Sequence, residues 1–307
     1  AKIYVAGHRG LVGSAIVRKL KEEGYTNIIT RTHSELDLTD QRATREFFEK
    51  ERPEYVFLAA AKVGGILANS VYRADFEYTN LMIECNVIKA SNDYEVKKLL
   101  FVGTAAVYPE HCPQPIKEEY LLTGPLDSTK EAYAIAKIAG IKMCQYFDEQ
   151  YGTDFISALP NNLYGPNDNF DLNTSHVIPA LIRKFHTAKV TGAEYVEVWG
   201  SGDQRREFLY VDDLADALLF LMNNYNCIEP INVGTGEDIS IRELAELVKK
   251  VVGYEGKIVF DTTKPDGALR RVLDVSKLKA LGWKYKLDLQ TGLKITYEAF
   301  LKQLKSL

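Results

Sequence analysis

The chain has 307 residues, 46% apolar and 26% charged, the balance of a globular protein that buries a large core in one large or two intimate domains. A net charge of −4 excludes a general affinity for nucleic acid or anionic membrane, and no apolar run is long enough to cross a bilayer. The four cysteines (Cys85, Cys112, Cys144 and Cys227) lack metal-ligand spacing and read as free thiols of a reducing, cytoplasmic compartment; the N-terminal strand leaves no room for a signal peptide.

Lys2 to Ala6 is a short apolar run with the character of a buried parallel strand. It leads into Gly7-His8-Arg9-Gly10-Leu11-Val12-Gly13 and then a helical pattern from Ser14 to Glu23. Three glycines at this spacing, between strand and helix, permit a tight turn and let backbone N–H groups approach a pyrophosphate. A second strand, Asn27 to Thr30, ends in Arg31-Thr32-His33. A carboxylate there would select NAD, whereas the basic Arg9, Arg31 and His33 point to the 2′-phosphate of NADP(H). Asp37 to Asp40 opens a helix through Lys50, and Tyr55 to Ala61 is the next buried strand. Small residues at its end leave space for a cofactor, and Lys62-Val63-Gly64-Gly65-Ile66 follows as a loop where ligands bind in open α/β sheets.

A long helix from about Asp75 to Asn92 precedes the strand Lys97 to Val102, which ends in Gly103-Thr104-Ala105-Ala106-Val107-Tyr108-Pro109. Ser128 to Phe147 reads as one amphipathic helix, capped by Ser128 with Glu131 in capping-box position. On it Tyr133 and Lys137 are four residues apart and share a face. An ammonium one turn from a phenol favours the phenolate; lowering a tyrosine by about three units corresponds to roughly 4 kcal/mol. Thr104, at the end of its strand, is a hydrogen-bond donor for a substrate carbonyl beside Tyr133. Phe155 to Leu159 is a further strand, running into Pro160-Asn161-Asn162-Leu163-Tyr164-Gly165-Pro166. This alternation predicts a Rossmann-type doubly wound parallel sheet with a smaller C-terminal α/β lobe.

Residues 1–165, with about 203–225 returning, would form the dinucleotide domain; 166–202 and 226–307 would form the substrate lobe, which includes the strand Ile231-Asn232-Val233 and the Lys264-Pro265-Asp266-Gly267 turn. Arg183, Lys184, Arg206 and Arg270 together are candidates to receive a nucleotide diphosphate, though singly each has the look of a solvated charge.

GHRGLVG, AAAKVGG, YAIAKIAG, NLYGP, SHVIPALIRKF, WGSG, REF, NVGTG and KPDG occur in this order across nearly the whole chain. Together they resemble the GDP-L-fucose synthase family, epimerase/reductases of GDP-4-keto-6-deoxy-D-mannose among the extended short-chain dehydrogenases/reductases. The resemblance implies that Tyr133 gives a proton to the sugar O4 as NADPH delivers hydride to C4, with Lys137 on the nicotinamide ribose and Thr104 in the family's serine position. It places Gly7 to Gly13, Leu58, Ala59, Ala60, Pro160, Asn162, Leu163 and His176 around the cofactor, and Lys184, Trp199, Arg206 and Asp266 around the GDP-sugar. It also implies a homodimer formed through the long helices. Two residues depart from the pattern: His33 stands where the family commonly has arginine, and Ala106 stands where it has the cysteine that works with the histidine matching His176 at C3 and C5. The expectation is a C4 reductase with C3/C5 epimerisation lost. A bifunctional epimerase/reductase, a nucleotide-sugar 4-epimerase or dehydratase, and a non-catalytic nucleotide sensor are the rival readings.

Overall fold

Val5, Val56, Leu100 and Ile156 belong to runs too apolar to leave either face in water, and the four runs lie side by side in one parallel sheet. The computed structural model describes residues 1–264 and 266–305, so Pro265 of the KPDG turn lies outside the described residues. The first half of the chain runs β1 (Ile3–Ala6), α1 (Leu11–Glu22), β2 (Ile28–Ile29), α2 (Gln41–Glu51), β3 (Tyr55–Leu58), α3 (Ile66–Val71), α4 (Arg73–Asp93), β4 (Lys98–Val102), α5 (Glu131–Tyr151) and β5 (Phe155–Pro160). The second half runs β6 (Asn162–Tyr164), α6 (Val177–Thr191), β7 (Tyr195–Trp199), β8 (Arg205–Arg206), β9 (Phe208–Tyr210), α7 (Val211–Asn224) and β10 (Ile231–Val233). It continues with β11 (Ile239–Ser240), α8 (Ile241–Val252), β12 (Lys257–Asp261), β13 (Arg270–Arg271), α9 (Ser276–Ala280) and α10 (Leu289–Lys305).

The main sheet has the order β10-β5-β4-β3-β1-β2. The chain moves outward from β1 to β2, then crosses back to β3, so a crevice opens at the carboxyl ends of β1 and β3. Helices α4 and α5 cover one face of the sheet through Val87, Ile88, Ile141 and Cys144. Helices α1 and α7 cover the other through Ile16, Leu20, Leu214 and Leu218. A third apolar cluster, with Phe185, Leu244 and Val248 at its centre, holds α6, α8 and α10 together as the smaller lobe.

One sequence expectation is corrected here. Ile231–Val233 is not part of the smaller lobe: it pairs with β5 as the sixth strand of the main sheet, because all three residues are buried on both faces. Phe208–Tyr210 pairs with β6 in a separate two-stranded ladder, and α7, which follows it, packs on the main sheet. No helix among the described residues is long and apolar enough to cross a membrane, and all four cysteines are free. The outer faces of α4 and α5 leave Tyr78 and Tyr146 exposed, the kind of surface on which the homodimer expectation rests.

One buried carboxylate ties the lobes together. Glu207, between β8 and β9, accepts hydrogen bonds from the Gly236 amide at 2.7 Å, the Leu273 amide at 2.8 Å and the Asn161 side chain at 2.8 Å. Burial raises its pKa, and these donors pull it back. Removing the carboxylate strands three donors, so Glu207→Ala is expected to destabilise the fold by at least about 3 kcal/mol, with Glu207→Gln intermediate. A urea-denaturation midpoint unchanged in Glu207→Ala would contradict this.

Candidate active site

The turn after β1 is built to receive an anion. Gly7 has φ +85°, and a Cβ there would lie 2.9 Å from the Ala59 carbonyl oxygen. A Cβ on Gly13 would come within 2.1 Å of the Gly7 carbonyl oxygen, so any side chain would push the first turn of α1 off the strand. Gly10 caps that helix, whose free amides face the crevice beside the small Ala59 and Ala60. His8 Nδ1 is buried among the described residues without a hydrogen-bond partner. This cradle fits a dinucleotide pyrophosphate. The 2′-phosphate side differs from the expectation for Arg31, whose guanidinium bonds Glu51 at 2.7 Å and the Thr30 carbonyl at 2.8 Å and lies over the Phe47 ring. Arg9 and His33 stand exposed nearby, His33 within 3.8 Å of Asp37.

The next two loops are braced by side chains. Asn80, wholly buried on α4, bonds both the amide and the carbonyl of Lys62 at 2.8 and 3.0 Å. The Gly65 amide then donates to the Thr174 carbonyl at 2.8 Å, and a Cβ at Gly65 would sit 2.7 Å from the Ser175 oxygen. That contact sets the segment leading to His176, which is the N-cap residue of α6. His176 opens onto the cleft, yet crowding by the cleft walls and the Lys130 ammonium hold its pKa below the ordinary histidine value.

Helix α5 does not begin as its capping box suggests. Asp127 bonds the Thr129 amide and hydroxyl, and Glu131 is drawn to Arg73 at 2.8 Å. Helix formation therefore starts at Glu131, with Lys130 as the N-cap residue and no side-chain cap. The shift leaves Tyr133 and Lys137 on the face toward β4. Thr104, just past β4, accepts from the Ala106 amide at 3.2 Å and is close enough to Tyr133 to stabilise its phenolate by hydrogen bonding.

Lys137 is 2% exposed, with its ammonium 3.0 Å from Glu84, 3.2 Å from the Val102 carbonyl and 6.0 Å from the Tyr133 ring centre. Burial alone would lower its pKa, but Glu84 and Tyr133 outweigh that and leave it above the ordinary lysine value. The acidic phenol expected from the spacing is corrected by the same contacts. Burial raises Tyr133, Lys137 lowers it and Glu84 raises it again, so in the protein alone it titrates above an ordinary tyrosine.

The substrate candidates divide. Trp199 is 61% exposed, flanked by the Lys184 and Lys264 ammoniums at 5.8 and 5.3 Å, so it is a surface platform and not a core residue. Lys184 also bonds the Glu197 carbonyl at 3.0 Å. Asp266 accepts from the Ser201 amide at 2.7 Å and so shapes the WGSG turn. Arg183 is spent on the Phe170 carbonyl at 3.0 Å, and Arg270 pairs with Asp238, which also holds Arg205. Two of the four expected to receive one anion, Arg183 and Arg270, thus already hold partners within the protein.

Arg271 and Lys130, which sequence reasoning missed, lie within electrostatic reach of Arg206. Arg271 bonds the carbonyls of Ala105 and Pro109 at 3.0 and 3.1 Å, next to Thr104. It acts electrostatically on Arg206 and on Lys130, lowering both pKa values after burial, while Asp127 opposes this at Lys130 from 3.9 Å. Three cations, with Asp127, Asp266 and Glu110 around them, make a wall of charged side chains. The signal was present in the sequence: successive residues of a strand point to opposite faces, so of Arg270 and Arg271 one had to turn away.

A parallel sheet with a glycine turn, and a Tyr-Lys pair beside a strand-end threonine, are the parts of a nucleotide-dependent carbonyl enzyme. Residues 3–234 match the NAD dependent epimerase/dehydratase family. GDP-L-fucose synthase 1 of Arabidopsis thaliana is 60% identical over 302 residues, covering 98% of this chain and 94% of the plant protein. Two solved structures from Campylobacter jejuni follow nearly the whole backbone. A GDP-6-OMe-4-keto-L-xylo-heptose reductase has TM-score 0.94 at 43% identity, with 99% of this chain and 98% of that one covered. A GDP-mannoheptose C4 reductase with NADP bound has TM-score 0.91 at 44% identity, with 98% of each chain covered. The chain belongs to the GDP-L-fucose synthase family, and is an NADP(H)-dependent oxidoreductase acting on GDP-sugars.

Arg271→Met is expected to lower kcat/KM for the GDP-sugar by more than tenfold, whereas Arg270→Met should stay within about threefold. Equal losses in the two variants would refute the assignment of Arg271 to the site.

Proposed function

We propose that the chain reduces the C4 ketone of a GDP-4-keto-6-deoxy-sugar, hexose or heptose, without epimerising C3 or C5. The observation that carries this reading is the convergence of Tyr133, Thr104 and Lys137 at the carboxyl end of β4, with a methyl group at position 106. NADPH, when bound, supplies the hydride for C4. Tyr133 gives its proton to O4, Thr104 orients the ketone oxygen, and Lys137 holds a positive charge beside the phenol as negative charge grows on the oxygen. The wall of Lys130, Arg206 and Arg271 receives the anionic part of the substrate, and exposed Trp199 with Lys184 and Lys264 offers a face for the base.

Epimerisation next to the ketone needs one group to remove a proton and another to return it. His176, at the N-cap of α6, is placed to return the proton, which leaves its removal to the group at position 106. Ala106 lies in the short helical turn after Thr104, and its methyl group neither gives nor takes a proton. The bifunctional epimerase/reductase is the second reading, favoured by the 60% identity to the plant GDP-L-fucose synthase.

Tyr133→Phe should lower NADPH consumption with GDP-4-keto-6-deoxymannose by at least about a hundredfold; retained turnover would move the proton donor elsewhere. In deuterated water the protein as it stands is expected to leave C3 and C5 unlabelled, and Ala106→Cys to gain label there. Rapid deuterium uptake without the substitution would establish the bifunctional reading instead.

A further inference from the structure

Glu84, on α4, has no part in the reaction as just described, yet it is 1% exposed and faces the catalytic lysine. Its oxygens find no other hydrogen-bond partner among the described residues. The surrounding helix is shaped to admit it. A Cβ on Gly140 of α5 would lie 2.8 Å from the Glu84 carboxylate and 2.5 Å from the Phe101 ring, so glycine keeps the channel between α4 and α5 open. The Phe101 ring in turn lies 4.6 Å from the Lys137 ammonium. A carboxylate taken out of water with one partner is an expensive way to fill a helix interface, where an apolar side chain would pack with less desolvation.

We propose that Glu84 is a positioning residue that holds the Lys137 ammonium and sets, through it, the pH range in which Tyr133 surrenders its proton. The inference rests on the reductase reading above. The ionisable groups around the pair are few. On α4, Cys85 is raised by its own burial and by Glu84; on α5, burial pushes Cys144 up to about 12, with Ser157 of β5 as its hydrogen-bonding neighbour. Both thiols stay neutral near pH 7. Tyr133 and the hydroxyl of Thr104 complete the set. Burial raises the pKa of Glu84 itself and Lys137 pulls it back, so once Glu84 is ionised the charge felt by the phenol is mainly that of Lys137 opposed by Glu84.

The sign follows. Replacing the carboxylate by an amide of the same shape removes the negative charge and leaves the ammonium unopposed, so the phenol loses its proton at lower pH. Reduction requires the protonated phenol, so the alkaline limb of kcat moves down. With NADPH and GDP-4-keto-6-deoxymannose, kcat measured across about pH 7 to 12 should show that limb shifted by roughly one unit in Glu84→Gln. Glu84→Asp, which retains the charge but draws it back, should shift it the same way by about a third as much. A limb that stays in place or moves upward overturns the proposal, even if both variants lose activity, since a merely structural role lowers kcat without moving its pH dependence. Should Glu84→Gln fail to fold, the limb of Glu84→Asp decides by the same criterion. Failure here is distinct from failure of the reductase reading, which Tyr133→Phe tests without reference to Glu84.

Discussion

The structure turns on an ammonium that has been taken out of water. Lys137 is buried at the junction of α4, α5 and β4, where it is held by Glu84, the Val102 carbonyl and the Phe101 ring. An unpaired charge at such depth would cost several kcal/mol, so the carboxylate, the open channel at Gly140 and the packing of α4 on α5 are one requirement expressed three times. Tyr133 inherits its environment from that arrangement. Its phenol is pulled toward ionisation by the lysine and away from it by burial and Glu84, and in the protein alone the second influence prevails.

Around this centre the sheet delivers the remaining groups by backbone alone. The crevice at the carboxyl ends of β1 and β3 receives the glycine turn, and the end of β4 presents Thr104 and Ala106. His176 arrives by a longer route: Asn80 fixes Lys62, Gly65 fixes Thr174, and the histidine caps α6 two residues later. The KVGG loop is thus a structural relay between the cofactor side and the substrate side. Gly65 is required by the close approach of the Thr174–Ser175 backbone and Gly64 is crowded by the Ala68 and Phe76 side chains, neither by a positive φ.

The third apolar cluster carries α6, next to the proposed substrate residues, and Glu207 ties the nearby strands to the main sheet. It ties the end of β5, the turn after β10 and the segment just after β13 to one carboxylate. Arg206 and Arg271 sit on neighbouring strands that this anchor holds in register, and they meet Lys130 from the first domain across the cleft. A diphosphate brought to this wall would meet cations already fixed in place, a form of preorganisation.

The sequence by itself determined the class of fold, the glycine turn and the Tyr133–Lys137 register, because these depend on local pattern: apolar runs, glycine spacing and the pitch of a helix. It also exposed the chemical gap at Ala106, since an absent thiol is visible without coordinates. Tertiary structure decided what depends on partners distant along the chain. Ser128 lost its cap to the turn made by Asp127 and to the pull of Arg73 on Glu131, Arg31 was claimed by Glu51, and Arg270 by Asp238. Ile231–Val233 was drawn into the main sheet by an open edge at β5 that no local pattern reveals. The acidity of Tyr133 was misjudged for the same reason: spacing along a helix reports one neighbour, whereas the field at the phenol is set by every charge and by the water that burial removes.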